Sequence, residues 1–430
     1  MNVSFPLRDG YFRPLQATPE DRARWTQRVR AHVEQSLEEE KPYFASMYEN
    51  IDSRKWRLVR RKDQLRVFRP RRERSASNGG ELPCLLEIGT IEGSLEDVIY
   101  GVHNTTTHDM RTTTNFLSAD ALDAAVLAVF ENGTEEDDAE QDLYRSFALK
   151  WRILETPAGS LVKNRDVLAL EYMGISRDAD GERFAFHICD SFDHPVCPPF
   201  HAQCTVRAKT HTRIIYRQLR PGRVGVYYRA EYESGGRIPK LLARWTAAEV
   251  AVSLGGSVEC AEAKKLTAIA LAAHDTDERK RLSVHQRRSA RTQSAPGGAP
   301  SCSICELQQA PSKLHGCDVC GVHVCTKCRT KKHLLSDEGK IQVVCCKQYL
   351  DSRSRAWTLD DMLDDTPHAR GHDRQKAYDR EKAHEDMYEL LAAMSTTSDS
   401  TMASREDLMA STVTIDSFES PRGESKHEAM

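Results

Sequence analysis

Eight cysteines lie between positions 302 and 346, and six of them form Cys-x2-Cys pairs: Cys302 with Cys305, Cys317 with Cys320, Cys325 with Cys328. A tight turn inside such a pair aims both thiolates at one cation while nearby amides stabilise the sulfur charge. That is the chemistry of a structural zinc site, and four pairs make two tetrahedral sites. The fourth pair is irregular: Cys345 and Cys346 are adjacent, followed by Lys347, Gln348 and Tyr349. Neighbours on an extended segment face opposite ways, so two adjacent thiolates chelate one ion only if the backbone kinks. The other five of the thirteen cysteines (Cys84, Cys189, Cys197, Cys204, Cys260) are scattered, which is not the pattern of a disulfide framework.

Other arrangements carry less chemistry. His194, Cys197, His201 and Cys204 follow H-x2-C-x3-H-x2-C, which can hold zinc, but Pro195, Pro198 and Pro199 account for a loop there without metal. Ser253-Leu254-Gly255-Gly256 lacks the strand-turn-helix setting of a nucleophile elbow. No Gly-rich phosphate loop ending in Lys-Ser/Thr is present, so the chain reads as a non-enzyme. With a net charge of −3 it is not a protein that coats nucleic acid. Lacking both a long apolar run and a signal-peptide pattern, it is expected in the cytoplasm.

These residues need elements to hold them. Thr18-Pro19-Glu20-Asp21 spells a helix start, and Trp25, Val29, Val33 and Leu37 then recur every four residues to about Glu40. From Lys55 the period turns to two, and WRLVRRKDQLRVFRP and PCLLEIGTIEG read as strands. TTTHDMRTTTNF is β-branched and polar, and LSADALDAAVLAVF fits helix or strand. Six further strand candidates between Tyr144 and Tyr232 are separated by turn residues, an antiparallel meander. The segment from Pro239 carries Leu241, Trp245, Ala248 and Val252 on one helical stripe, and Gly255-Gly256 should bend it. The fold class is α+β.

NRDVLALEYMGI (164–175), CDSFDHPVCPP (189–199), VRAK (206–209) and GGRIPKLLARWTAAEVA (235–251) carry a resemblance to START-type lipid-transfer domains over roughly residues 15–274. The resemblance implies a helix-grip fold, a curved antiparallel sheet closed by a long C-terminal helix, with a cavity for a lipid or other hydrophobic small ligand. Alternation offers Phe184, Phe186 and Ile188, then Val224, Val226 and Tyr228, as strand walls, with Leu241, Trp245 and Val252 from the helix. The same residues could equally fill a dry core.

The x4 step in CDVCGVHVCTKC, with Gly321 after Cys320, resembles the FYVE-type finger, a treble-clef module with a cross-brace. The resemblance implies that Cys302, Cys305, Cys325 and Cys328 bind zinc one and that Cys317, Cys320 and Cys345 bind zinc two. It places the eighth ligand at Gln348, just before the expected aromatic Tyr349. Glutamine is a poor ligand beside three thiolates. Cys346 is therefore the first choice, with His315, His323 or water as alternatives. Where such fingers read phosphatidylinositol 3-phosphate with a basic stretch, this chain has Lys313, Leu314, His315, Gly316, Cys317 and Asp318. Each lost charged contact weakens headgroup binding by about 1.5–3 kcal/mol.

The expected layout is an extended 1–14, a START-like 15–274, a basic flexible linker 275–300 and a finger 301–352. A charged segment 353–394 with a helix at 373–394 follows, then a disordered Ser/Thr-rich tail 395–430. Linker cations and the Arg329, Lys331, Lys332 group allow peripheral contact with endosomal or other membranes. The leading function is a lipid-binding adaptor or carrier. The alternative is a RING-like ubiquitin ligase or a protein-interaction finger, although no protein partner is named by the sequence and the x16 gap is wide for a RING.

Overall fold

Thr18 Oγ1 accepts the backbone N–H of Asp21 at 3.1 Å and opens α1 (Pro19–Phe44), with Pro19 in the first turn. The computed structural model describes residues 4–72, 84–133, 142–156, 162–200, 205–275, 300–319, 321–337 and 339–347, all inside one unit spanning 1–380. Most of the basic linker, the charged segment with its expected helix and the Ser/Thr-rich tail lie outside the described residues.

After α1 come β1 (Trp56–Lys62), β2 (Leu65–Pro70), β3 (Cys84–Glu92), α2 (Leu95–Val102), α3 (Thr107–Leu117) and β4 (Ala121–Asn132). Then follow β5 (Ser146–Leu154), β6 (Asn164–Arg177), β7 (Arg183–Ser191), β8 (Thr205–Arg207), β9 (Lys209–Arg220) and β10 (Arg223–Glu233). One sheet runs β1-β2-β3-β10-β9-β7-β6-β5-β4, antiparallel throughout, and β8 joins it parallel to β6. β3 pairs with β10 along nine residue pairs, so the N-terminal hairpin is sewn to the last strand of the meander.

The stretch TTTHDMRTTTNF is helical. Thr106 Oγ1 accepts Asp109 N–H at 3.1 Å, and Met110 and Phe116 are buried on one side. The Thr106 cap outweighs the strand leaning of the four threonines inside α3. The ambiguous segment after it is the strand β4.

Both faces of the sheet are covered. On one, α1 sets Trp25, Val29 and Val33 against Phe147, Tyr172 and Phe186. On the other, α2 and the closing helix α4 (Lys240–Ser253) bury Val98, Ile99, Ala248 and Val252 against Ile214, Tyr216, Val226 and Tyr228. A short 3-10 turn, Leu254–Gly256, separates α4 from α5 (Ser257–Asp275), which is the bend that two glycines favour.

α5 approaches α2 so closely that a Cβ on Gly101 would stand 1.9 Å from the Ser257 carbonyl oxygen. Gly101→Ala should therefore force backbone apart and destabilise the chain by about 3 kcal/mol. A melting temperature equal to wild type would refute this reading of the contact.

The C-terminal module consists of β11 (Leu314–Gly316) with β12 (His323–Cys325) and β13 (Arg329–Ser336) with β14 (Gly339–Cys346), each an antiparallel pair. The second hairpin rests on α3 and α5. Leu335 is buried among Phe116, Cys260 and Ala263, and its N–H donates to Thr267 Oγ1 at 2.8 Å. Asn115 donates to the Asp337 carbonyl at 2.6 Å. Lys332 pairs with Glu262 at 2.5 Å and Lys340 with Glu259 at 3.0 Å.

Candidate metal centre and ligand cleft

The thiols of Cys302, Cys305, Cys325 and Cys328 converge, their sulfur atoms all within 4.8 Å of one another. Cys305 Sγ and Cys325 Sγ stand 3.8 Å apart. Tetrahedral sulfurs about 2.3 Å from a central ion would be separated by about 3.8 Å. The Cys325 N–H reaches Cys302 Sγ at 3.3 Å and stabilises thiolate charge. Donor type and spacing fit zinc, and the group can hold one metal ion.

Local turns explain the convergence. Glu306 N–H closes on the Cys302 carbonyl at 2.9 Å, and Gly321 N–H closes on Cys317 at 2.8 Å. Both residues have positive φ, +56° and +78°. The two turns are therefore equivalent knuckles, one relaxed by glycine and one held by Glu306 in a conformation that most side chains avoid.

Cys317, Cys345 and Cys346 are buried together with Val319, Val324 and Val343. Cys346 N–H donates to Cys317 Sγ at 3.3 Å, repeating what Cys325 does for Cys302. Cys320 and Gln348 lie outside the described residues. Of the alternative ligands, His323 is exposed and His315 is half-buried on β11.

On the sheet, an apolar cleft of about 130 Å³ separates α4 from the strands, walled by Val167, Tyr228 and Ala230 on one side and by Ala243, Ala247 and Val250 on the other. Val224, Val226, Tyr228 and Val252 are buried together on this face, and of these Tyr228 lines the cleft while Val224, Val226 and Val252 do not. Phe184, Phe186 and Ile188 are not on this face. They pack under α1 on the opposite face, and β7 turns Ala185, His187 and Cys189 to the face that α2 and α4 cover instead. The correction is one of parity: the bulkier set on β7 belongs to the α1 core, and a one-residue offset exchanges the two faces. Leu241 is 42% exposed and Trp245 is half-buried, so the helical stripe meets the sheet through Leu242, Ala248, Ala251 and Val252.

The 194–204 loop shows no convergent donor set among its described residues. The His194 ring lies against Phe192 and Trp25, and Arg207 donates to the Cys197 carbonyl. His201 and Cys204 lie outside the described residues.

The α4 face also holds polar groups that sequence reading passed over. Lys150 pairs with Glu171 in the interior, both under a tenth exposed. Glu87 is 1% exposed, and its Oε1 has no partner; the Tyr216 hydroxyl is likewise unpartnered. Burial, partly opposed by Lys62, pushes the Glu87 carboxyl up to about 8. The one available signal was a lysine and glutamates inside strands that otherwise read as apolar.

No family model matches the chain, and no curated protein matches it. Among solved structures, human StAR-related lipid transfer protein 5 is similar at 15% identity and a TM-score of 0.34, over 53% of this chain and 97% of that one. Human STARD10 is similar at 14% identity and a TM-score of 0.34, over 51% of this chain and 78% of that one. The human StarD13 lipid transfer and protein localization domain is similar at 13% identity and a TM-score of 0.33, over 53% and 94%.

Proposed function

We propose that this chain is a carrier or adaptor for a hydrophobic ligand, a START-like body whose α5 helix is braced by a diverged FYVE-type zinc finger, and that it catalyses no reaction. The observation that carries the reading is the apolar cleft between α4 and the sheet, lined by Val167, Tyr228, Ala230, Ala247 and Val250. At about 130 Å³ it is smaller than the ~300–1,000 Å³ of ordinary ligand sites. In this reading an acyl chain enters as α4 rises about the Leu254–Gly256 break and widens the cleft.

Two zinc ions brace the finger in this reading. Cys302, Cys305, Cys325 and Cys328 hold the first, and Cys317, Cys320 and Cys345 with Cys346 hold the second. The amide that Cys346 offers to Cys317 supports its place there. The role of the finger is architectural more than headgroup-reading, because Lys332 and Lys340 are already paired with α5 carboxylates. Peripheral membrane contact then falls to Lys331 and the basic linker. No described helix is long and apolar enough to cross a membrane.

Ala247→Trp tests the cleft. Native mass spectrometry of wild type should show a co-purified apolar mass, and a fluorescent fatty-acyl probe should bind. In the variant, probe affinity should fall at least tenfold with unchanged metal content and circular dichroism. Equal probe binding by both proteins, or none by wild type, would remove the cleft from the account.

A further inference from the structure

We propose that Glu171, His187 and Cys189 form a separate metal centre inside the sheet, suited to a zinc-class divalent cation. His187 and Cys189 are alternate residues of β7 and share its α4 face, and Glu171 sits directly across the ladder from Cys189 on β6. The register brings one nitrogen, one oxygen and one sulfur to a single point. Cys189 Sγ is 3.5 Å from Glu171 Oε2 and 3.5 Å from His187 Nε2, and those last two atoms are 3.6 Å apart. Around a tetrahedral ion with bonds of about 2.0–2.1 Å to nitrogen and oxygen and about 2.3 Å to sulfur, ligand atoms stand roughly 3.3–3.6 Å from one another. The three atoms thus outline one face of such a tetrahedron, and the fourth position is left for water or another donor.

The surroundings support a ligand set more than a packing accident. All three residues are under a tenth exposed. Lys150 Nζ holds the other carboxylate oxygen, Oε1, which leaves Oε2 turned toward the sulfur and the imidazole. That is how a neighbour outside the coordination sphere orients a ligating carboxylate. A Cys–His–Glu nucleophile relay would need thiol and carboxylate on opposite ring nitrogens. Here both fall on Nε2, and Nδ1 is buried without a partner. The mixed nitrogen, oxygen and sulfur set favours a borderline ion such as Zn²⁺ over hard Ca²⁺ or Mg²⁺.

The test uses the full chain loaded with Zn²⁺ alone and counts ions per chain by native mass spectrometry. Cys189→Ser and Glu171→Gln should each hold one ion fewer than wild type, and Cys305→Ser, which touches only the finger, should leave this ion in place. A folded Cys189→Ser chain with the wild-type count overturns the proposal. If neither β-sheet variant folds, cadmium-113 resonance of the wild-type chain decides. Thiolate-rich finger sites resonate far downfield, and a single-thiolate centre adds one resonance well upfield; its absence overturns the proposal.

Discussion

Cys305→Ser is expected to abolish the zinc binding proposed for the four converging sulfurs and to unfold the C-terminal module while the ten-stranded sheet stays intact. Structural zinc contributes on the order of 10–16 kcal/mol of apparent binding energy in small fingers. Neither hairpin here has an interior able to replace it. The buried cluster of the module is built from Val319, Val324, Val343 and the cysteines themselves. Cys305 is the most solvent-facing of the four, so serine there removes a ligand without carving a hole. Exhaustive chelation should act likewise. Hydrogen exchange should show protection lost across β13–β14 and raised exchange on the α5 surface that Leu335 covers, with α1 and the central strands unchanged. Retained protection of β13–β14 in the variant would show that packing alone maintains the module.

Glu87→Gln is expected to stabilise the chain at high pH and to do little in acid. The folded carboxyl titrates near 8 against 4.5 in the unfolded chain, because β3 buries it beside Tyr228 of β10 and Tyr216 of β9 with only Lys62 of β1 as a distant cation. Below the unfolded value both states are protonated, and Glu87 does not alter stability with pH. Between about 4.5 and about 8 the unfolded chain releases a proton that the folded chain keeps, so stability falls as pH rises. Above about 8 the penalty is complete. At about 1.4 kcal/mol per pH unit the ceiling is roughly 5 kcal/mol. Glutamine removes the titration, so the difference in unfolding free energy between variant and wild type should open across that window. Parallel pH profiles for the two proteins would place the Glu87 charge in contact with solvent.

Local signals carried much of this architecture. The Thr18 cap, the pairing turns of the meander, the glycine break after α4 and the Cys-x2-Cys knuckles were readable because each depends on a few neighbouring residues. α3 was obscured because Thr106 and Thr107 look like strand residues until the Asp109 N–H that Thr106 caps is considered. The lining of β7 was misjudged for a different reason. Both faces of that strand are buried, so alternation could not say which belongs to α1 and which to α4. The Lys150–Glu171 pair and the His187–Cys189 face are hidden for a third reason: their meeting depends on cross-strand register, which no single segment encodes. Seating of the hairpin on α5 is of the same kind, since Glu259, Glu262 and Thr267 look like an ordinary solvated helix face.

Gly101 grips the first residue of α5, and the β13–β14 hairpin grips its middle, so that helix serves as a gatepost. The Leu254–Gly256 turn separates α4 from that post, so a rise of α4, as proposed above, would pivot there. Weakening the four-sulfur group would loosen that post, because the hairpin that carries Leu335 and Lys332 onto α5 belongs to the same module.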